Sequence, residues 1–283
     1  MSTPVDDLLH QIRGHFNKAQ DAINSLVRVQ VAQGLAATFL ERSHPFDGDE
    51  RLVALVQGGL LTEAAFLQKT PALLRFYSRL LVGLKAERIL EIGVKGGGST
   101  AFWKQLFPSA TVVGLDIDLR TRLGGDGVIY VQGDQSDVVQ LAALAAQYGP
   151  FDLVIDDGSH MSDHQTASLR ALLPHVRAGG IYVIEDIHEN IKPEKGDDIW
   201  PDFVMTVFHR MRTARAPISP DRAGTQLALE TFPRIDDLIV SAQTIAMRIQ
   251  ADEKPRREAP MAGWKRRWKA SSKPTREAPP SSA

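Results

Sequence analysis

Cysteine is absent from this 283-residue chain. Its absence excludes disulfide bonds, thiolate metal ligands and cysteine nucleophiles, and it is typical of proteins in a reducing compartment. The first residues also lack a basic segment followed by an apolar one. No apolar run in the sequence approaches the roughly 18 residues that span a bilayer. We therefore expect neither a signal peptide nor an integral membrane protein, and we predict a cytoplasmic location.

The net charge is only −1, but it is distributed unevenly. Residues 254–283 carry nine Lys or Arg and two Glu, a net charge of +7, which leaves −8 for the first 253 residues. Because 253–283 is also rich in Pro and Ser, we predict a disordered basic tail. Met261, Trp264 and Trp268 lie at helical spacing within it. Two interpretations stay open: a solvated tail, or peripheral contact with the anionic inner face of a membrane. The net negative charge of the first 253 residues argues against a nucleic-acid partner.

Residues 1–85 have the pattern of a helical extension. Apolar residues recur at spacings of three and four from about Val5 into the thirties: Leu9, Ile12, Phe16, Ala19, Ile23 and Leu26. This spacing predicts an amphipathic helix, which either forms a homo-oligomer contact or lies against its own domain. Glu50–Gln57 and Thr62–Leu84 are predicted to be helical too, with Thr70-Pro71 dividing the second segment.

From Arg88 onward, short apolar strands alternate with helical segments, which predicts an α/β domain over 86–252 with a doubly wound, mostly parallel, seven-stranded sheet. The predicted strands are Arg88–Ile92, Thr111–Asp116, Val128–Gln132, Phe151–Asp156, Gly180–Glu185, Ile235–Ser241 and Thr244–Gln250. The predicted helices between them are Ser99–Phe107, Ser136–Tyr148 and Asp163–Val176. An insertion of about 190–234, with one helix near Phe203–Met211, is expected to shape a substrate pocket. Trp200, Pro201 and Phe203 either stack on a substrate there or pack in the core.

A glycine-rich turn, from Glu91 to Thr100, joins the first strand to a helix. Such a turn lets the backbone approach a ligand closely. Lys95 breaks the G-x-G-x-x-G pattern of dinucleotide enzymes, and Gly98-Ser99-Thr100 lacks the lysine of a phosphate-binding loop.

What remains resembles the first motif of class I S-adenosylmethionine-dependent methyltransferases. This resemblance implies S-adenosylmethionine as cofactor, bound along the carboxyl edge of the sheet. The methionine half would lie on the glycine turn, the ribose on the acid after the second strand, and the adenine beside the loop after the third. The implied cofactor residues are Glu91, Gly93, Gly97, Ser99, Asp116, Asp134, Gln135 and Asp156.

Acidic pairs follow two of the predicted strands. Asp156-Asp157 ends one strand and Glu185-Asp186 follows another, with about one crossover helix between them. If the two strands are parallel neighbours, four carboxylates and His160 meet at one edge, where like charges require a cation. Oxygen ligands without sulfur favour a hard ion, Mg²⁺ first.

The segment from about Arg88 to Asp186 resembles a narrower group, the metal-dependent sugar O-methyltransferases of macrolide biosynthesis and the related cephalosporin hydroxylase-like proteins. The resemblance rests on Asp156-Asp157-Gly158-Ser159-His160, on the Leu173-Pro174-His175 stretch and on Glu185-Asp186. It implies that Asp157, Glu185 and Asp186 bind Mg²⁺ and that His160 is the base. The implied acceptor is a hydroxyl of a sugar or glycosylated substrate, either a small molecule or a glycolipid or saccharide.

Other interpretations stay open at this point. His160 and His164 are four residues apart, which suits a two-histidine, one-carboxylate iron or zinc site and an iron-dependent hydroxylase. His188 is a second candidate for the base. The acidic pairs are also compatible with ordinary strand-end turns in a non-catalytic cofactor-binding or membrane-recruitment module.

Overall fold

The computed structural model describes residues 48–57, 69–119, 127–213 and 220–250, which all lie within one compact unit, Met1–Gln250. The amphipathic N-terminal helix and the basic tail that we predicted lie outside the described residues. In the described part of the chain, no helix combines the length and apolar character that crossing a membrane requires.

A seven-stranded sheet forms the centre of the fold, as predicted. Its strands are β1 (Arg88–Ile92), β2 (Thr111–Asp116), β3 (Val128–Gln132), β4 (Phe151–Asp156), β5 (Val176–Ile184), β6 (Ile235–Val240) and β7 (Ile245–Ile249). Their order is β3-β2-β1-β4-β5-β7-β6. The strands β1 to β5 pair in parallel, and β7 is antiparallel to both of its neighbours. The connection from β6 to β7 is too short for a crossover, so this pair forms a hairpin.

Helices cover both faces of the sheet. They are α1 (Glu50–Gln57), α2 (Pro71–Leu80), α3 (Gly98–Leu106), α4 (Val138–Tyr148), α5 (Ser162–Leu172), α6 (Trp200–Arg212) and α7 (Ala223–Thr231). Neighbouring residues of β1 belong to opposite cores, since Ile89 packs with α1 to α3 and Leu90 packs with α4 to α7. This alternation is typical of a doubly wound sheet, and it leaves the loops at the carboxyl edge free to carry function.

Local sequence explains where several helices begin and end. Thr70 accepts a hydrogen bond from the Leu73 amide at 3.2 Å, and Pro71 takes the first position of α2. Helix α2 therefore begins at the Thr-Pro pair that we expected to divide a longer segment. The predicted helix Asp163–Val176 is shorter, because α5 ends at Leu172 and the next residues, around Pro174, form a 3₁₀ turn.

Two expectations for the strand and the insertion change. Strand β5 begins four residues earlier than the predicted Gly180 and ends at Ile184, so that Glu185 follows the strand. The insertion contains α7 as well as α6; its sequence AGTQLALET is short and includes Gly and Thr, which are weak helix formers. Trp200 and Phe203 are 2% and 0% exposed, so they pack in the core and do not present a face to a sugar.

Candidate functional site

The register of the sheet brings the acidic strand ends together. Asp156 of β4 lies opposite Ile92 of β1 on one side and Ile184 of β5 on the other. Beyond the strands the same pairing continues, since the Asp157 amide donates to the Ile92 carbonyl at 3.0 Å and the Glu185 amide donates to the Asp156 carbonyl at 2.9 Å. The glycine turn and both acidic pairs therefore meet at one edge, as the sequence predicted.

Gly93 lies where the glycine turn meets the loop after β4. Its φ is +90°, and a Cβ built on it would lie 2.1 Å from the carbonyl oxygen of Asp157. No other residue type fits a left-handed backbone against another main chain at this distance. The two halves of the site are thus joined backbone to backbone at Gly93.

Glu91 is a fully buried carboxylate beneath the turn. Its Oε1 accepts hydrogen bonds from the Ser99 hydroxyl and from Trp103 Nε1, the latter at 2.9 Å. Its Oε2 has no hydrogen-bond partner among the described residues. Burial raises the pKa of Glu91 to about 7, although the charge of Lys69 opposes this shift. An unpaired, buried acceptor of this kind fits a ligand that brings a donor, such as an ammonium group.

Asp116 at the end of β2 holds the glycine turn. Its Oδ2 accepts from the amides of Val94 and Lys95 at 2.7 and 2.8 Å, and its Oδ1 accepts from the amide of Asp118 at 2.9 Å. A carboxylate oxygen can accept two hydrogen bonds, so Oδ1, which accepts one, has capacity left for a ribose hydroxyl. The predicted ribose ligand therefore also shapes the turn, a role that the sequence did not show.

The loop after β3 contributes one buried and one partly exposed residue. Asp134 accepts from the amide and the hydroxyl of Ser136, both at 2.8 Å, and these bonds lower its pKa. Gln135 is buried, and its Nε2 donates to Asp156 Oδ1 at 2.5 Å while its Oε1 accepts from the Ser159 amide at 2.9 Å. Gln135 thus braces the loop after β4. Burial raises the pKa of Asp156 to about 7, and the hydrogen bond from Gln135 opposes this shift.

A cluster of possible metal ligands lies beside this region. One ligand atom each from Asp157, His160 and Asp186 lies within 4.8 Å of the others. All three side chains are partly exposed, and His160 Nε2 lies 3.8 Å from Asp186 Oδ2. Both His160 and Asp186 have left-handed backbones, with φ of +58° and +54°. Such a conformation is unfavourable for residues other than glycine and clusters at functional sites.

Glu185, the third metal ligand that the resemblance implied, is not a member of this close cluster. It is 2% exposed, and its Oε1 accepts hydrogen bonds from Lys69 Nζ and from the Tyr77 hydroxyl, both at 2.5 Å. Burial alone would lower the pKa of Lys69, but the charges of Glu185, Asp157 and Glu91 raise it above its ordinary value. Lys69 is therefore a buried ammonium between candidate ligands.

The loop that carries His160 is held by residues from further along the chain. Asn190 Nδ2 donates to the His160 carbonyl at 3.0 Å, and Lys195 Nζ donates to the Ser159 carbonyl at 2.7 Å. His164 Nδ1 pairs with the Ser159 hydroxyl at 3.0 Å, so His164 stands outside the cluster. His188 is 41% exposed and lies 3.8 Å from Asp186. The two-histidine site is thus not formed by the described residues.

Sequence reasoning missed Lys69, Tyr77, Asn190 and Lys195. Lys69 and Glu185 are 116 positions apart, and a lysine before a Thr-Pro helix start gives no local sign of its partner. Asn190 lies in the predicted insertion, where polar residues are common and do not indicate a role in the site. A signal does exist for Tyr77, since it lies on the apolar face of a predicted helix, but that pattern indicates burial alone.

Comparison with known proteins agrees with this geometry. Residues 90–187 match the family model described as a methyltransferase domain. This segment is a class I, S-adenosylmethionine-dependent methyltransferase domain. The match begins in β1 of the methyltransferase domain and ends just after Asp186, so it contains the glycine turn and both acidic pairs. For residues 90–187, the methyltransferase family that the sequence motifs predicted is confirmed.

Two curated relatives of the methyltransferase domain are named as O-methyltransferases. The chain is 46% identical over 121 residues to demethylmacrocin O-methyltransferase of Streptomyces fradiae, covering 40% of this chain and 31% of that protein. It is 49% identical over 107 residues to mycinamicin VI 2''-O-methyltransferase of Micromonospora griseorubida, covering 35% of this chain and 27% of that protein. The matched part thus spans less than a third of each of these relatives.

A solved structure resembles more of the chain. The MycE methyltransferase of the mycinamycin biosynthetic pathway, in complex with Mg, SAH and mycinamycin VI, is 28% identical with a TM-score of 0.56. The likeness covers 72% of this chain and 60% of that chain. It therefore extends beyond the methyltransferase domain defined by 90–187.

Proposed function

We propose that this chain is a Mg²⁺-dependent S-adenosylmethionine O-methyltransferase that methylates a hydroxyl of a sugar or glycosylated substrate. The observation that supports this most is the backbone contact between Gly93 and Asp157. The backbone of Asp157, the first of the proposed metal ligands, lies directly against the turn that would hold the cofactor. Direct transfer requires that the methyl donor and the metal-bound acceptor lie next to each other.

The donor set fits Mg²⁺. Asp157, Glu185 and Asp186 offer carboxylate oxygens only, which are the ligands that hard cations prefer. We propose that these three residues hold the ion and that His160, which lies beside Asp186, stays free of it. When bound, the ion supplies positive charge that stabilises an ionising acceptor hydroxyl.

The residues of this chain would then carry out the proton transfer. Bound S-adenosylmethionine would supply the methyl group to the acceptor oxygen, so that one C–S bond would break and one O–C bond would form. The hydroxyl proton goes to an imidazole nitrogen of His160, and the neighbouring Asp186 carboxylate stabilises the resulting imidazolium. S-adenosylhomocysteine and the methyl ether are the products.

The cofactor residues fit the same reaction. The unpaired Oε2 of Glu91 would accept from the amino group of the cofactor, and the remaining capacity of Asp116 would serve the ribose. Two relatives are named as O-methyltransferases of rhamnosyl tetracenomycin-C compounds, which supports a glycosylated acceptor.

Partners and location form a separate part of the proposal. We propose a cytoplasmic enzyme with a small glycosylated substrate, in line with the relatives named above. The net negative charge of the first 253 residues supports the further proposal that it has no nucleic-acid partner. Membrane contact through the basic tail, a glycolipid or saccharide acceptor, and oligomerisation through the N-terminal helix remain proposals drawn from the sequence alone.

Product analysis tests the proposed function. Purified full-length protein is incubated with S-adenosylmethionine, Mg²⁺ and a panel of glycosides with free sugar hydroxyls, and the products are analysed by mass spectrometry. We expect one glycoside to gain a methyl group on its sugar fragment. Gain of an oxygen atom with iron present would indicate a hydroxylase instead. Absence of product together with absence of cofactor binding by calorimetry would favour a non-catalytic module.

A further inference from the structure

Two buried residues ahead of the sheet reach into the candidate metal site. Lys69 directly precedes the cap of α2, and Tyr77 lies within that helix. They are 3% and 0% exposed. A lysine is rarely buried to this extent unless an anion pairs with it. Neither residue belongs to the strand-end loops that supply the other members of the site.

Both residues donate to the same atom, Glu185 Oε1. No hydrogen bond from a described residue reaches Glu185 Oε2. Two donors on one oxygen fix the orientation of a carboxylate and leave its second oxygen as an acceptor. Lys69 Nζ also lies 3.4 Å from Asp157 Oδ2, so one ammonium group contacts two candidate ligands that would otherwise repel each other.

The same ammonium connects the metal side of the site to the cofactor side. Lys69 Nζ lies 5.6 Å from the ring centre of Tyr77 and 5.9 Å from that of Trp103, within range of a cation–π interaction. The Trp103 indole in turn donates to Glu91. A continuous series of buried contacts therefore runs from Glu91 to Glu185.

We propose that Lys69 and Tyr77 are positioning residues for the metal site, holding Glu185 by Oε1 so that Oε2 is the oxygen that binds the ion. Lys69 also keeps Asp157 beside Glu185. This inference rests on the proposed function, since it takes Glu185 as a metal ligand. It adds two residues from outside the matched methyltransferase domain to the machinery of the site.

Substitution of Tyr77 is the sharpest test, because Tyr77→Phe removes one hydroxyl and changes no charge. Mn²⁺ substitutes for Mg²⁺ and is visible by electron paramagnetic resonance. We expect the Kd of full-length protein for Mn²⁺ to rise about tenfold in Tyr77→Phe, the usual scale for a lost hydrogen bond to a metal ligand. The Kd for S-adenosylhomocysteine, measured by calorimetry, should not change, which would show that the domain is intact.

Tyr182→Phe is the matched control. Tyr182 is also fully buried, lies in the strand that leads to Glu185, and its hydroxyl has no hydrogen-bond partner among the described residues. Both dissociation constants should stay at the wild-type value. A rise in the Mn²⁺ Kd equal to that of Tyr77→Phe would overturn the specific role of Tyr77.

A double substitution shows whether Tyr77 acts through Glu185. In a Glu185→Gln background, Tyr77→Phe should raise the Mn²⁺ Kd no further, because the carboxylate that it orients is already lost. Wild-type Mn²⁺ affinity in Tyr77→Phe, or an undiminished effect in the Glu185→Gln background, would overturn the inference. Failure of the wild-type protein to bind Mn²⁺ or Mg²⁺ would instead contradict the proposed metal-dependent function.

Discussion

The side-chain amide of Asn190 donates to the carbonyl oxygen of His160 at 3.0 Å. Asn190 is 1% exposed, and its Nδ2 also donates to the Ser162 hydroxyl at 2.8 Å. His160 has a left-handed backbone, which costs on the order of 1 kcal/mol for a residue other than glycine. The Asn190 amide therefore helps to hold the proposed base in an unfavourable conformation.

Replacing Asn190 with Ala should release this loop. We expect kcat for methyl transfer to fall by about 100-fold, because displacement of a reacting group by about 1 Å has an effect of this size. The KM for S-adenosylmethionine should change little, since the Asn190 amide donates to His160 and Ser162 and not to a predicted cofactor residue. Steady-state kinetics separate the two constants.

Thr231→Ala provides the comparison for Asn190. The Thr231 side chain is likewise buried and donates to a backbone carbonyl, that of Leu227, but it precedes β6 at the opposite edge of the sheet. The kcat of the Thr231→Ala variant should remain at the wild-type value. Equal losses in the two variants would mean that Asn190 contributes only to stability.

His160 is assigned as base and not as metal ligand, and substitution distinguishes these roles. His160→Ala should lower kcat by at least about 100-fold, the usual contribution of a general base. The Kd for Mn²⁺ should stay the same, because three carboxylates hold the ion. His175→Ala, in the turn before β5, controls for loss of a partly buried histidine. Loss of Mn²⁺ binding in His160→Ala would show instead that His160 is a metal ligand, a role that is compatible with its position in the close cluster.

Gly93 and Gly96 form a matched pair in the glycine turn. A Cβ at Gly93 would meet the Asp157 carbonyl, whereas a Cβ at Gly96 would meet nothing within 4 Å. Gly93→Ala should therefore lower the thermal unfolding midpoint by several degrees, since a clash of two backbones costs more than about 1 kcal/mol. Gly96→Ala should unfold as the wild type does. Equal unfolding midpoints for the two variants, measured by circular dichroism, would show that the glycine turn and the loop after β4 do not pack closely at Gly93.

The buried carboxyl of Glu91 makes stability depend on pH. Burial raises its pKa from 4.5 to about 7, while Lys69 opposes and Asp157 adds to the shift. A raised carboxyl pKa means that the folded state binds the proton more tightly, so this group destabilises the fold progressively between about pH 4.5 and 7. The shift corresponds to on the order of 3 kcal/mol.

Glu91→Gln removes this titration. The difference in unfolding free energy between Glu91→Gln and wild type should therefore grow in favour of the variant as pH rises from about 5 to 8. Urea unfolding at several pH values measures it, and other titrating groups cancel in the difference. A constant difference in unfolding free energy across this pH range would show that burial does not raise the pKa of Glu91.

Much of the site could be predicted because its residues follow directly from strand ends. A parallel sheet puts the carboxyl ends of neighbouring strands together, so the meeting of Asp157 with Asp186 followed from two apolar runs and their spacing. Lys69 and Asn190 could not be predicted in this way. Their partners are far away in sequence, and their contacts depend on tertiary packing of a helix and a turn. The left-handed backbone of His160 could not be predicted either, because among the residue types only glycine indicates such a conformation in a sequence.

Dependence of methyl transfer on Mg²⁺ and on Asp157 tests the central claim most directly. With a labelled methyl group on S-adenosylmethionine and a glycoside that the product screen identifies, transfer is measured for wild type and Asp157→Asn, each with Mg²⁺ and with EDTA. We predict transfer only in the wild-type protein with Mg²⁺, and undiminished binding of S-adenosylhomocysteine by the variant. Full transfer in EDTA, or by Asp157→Asn, would contradict a metal site beside the cofactor.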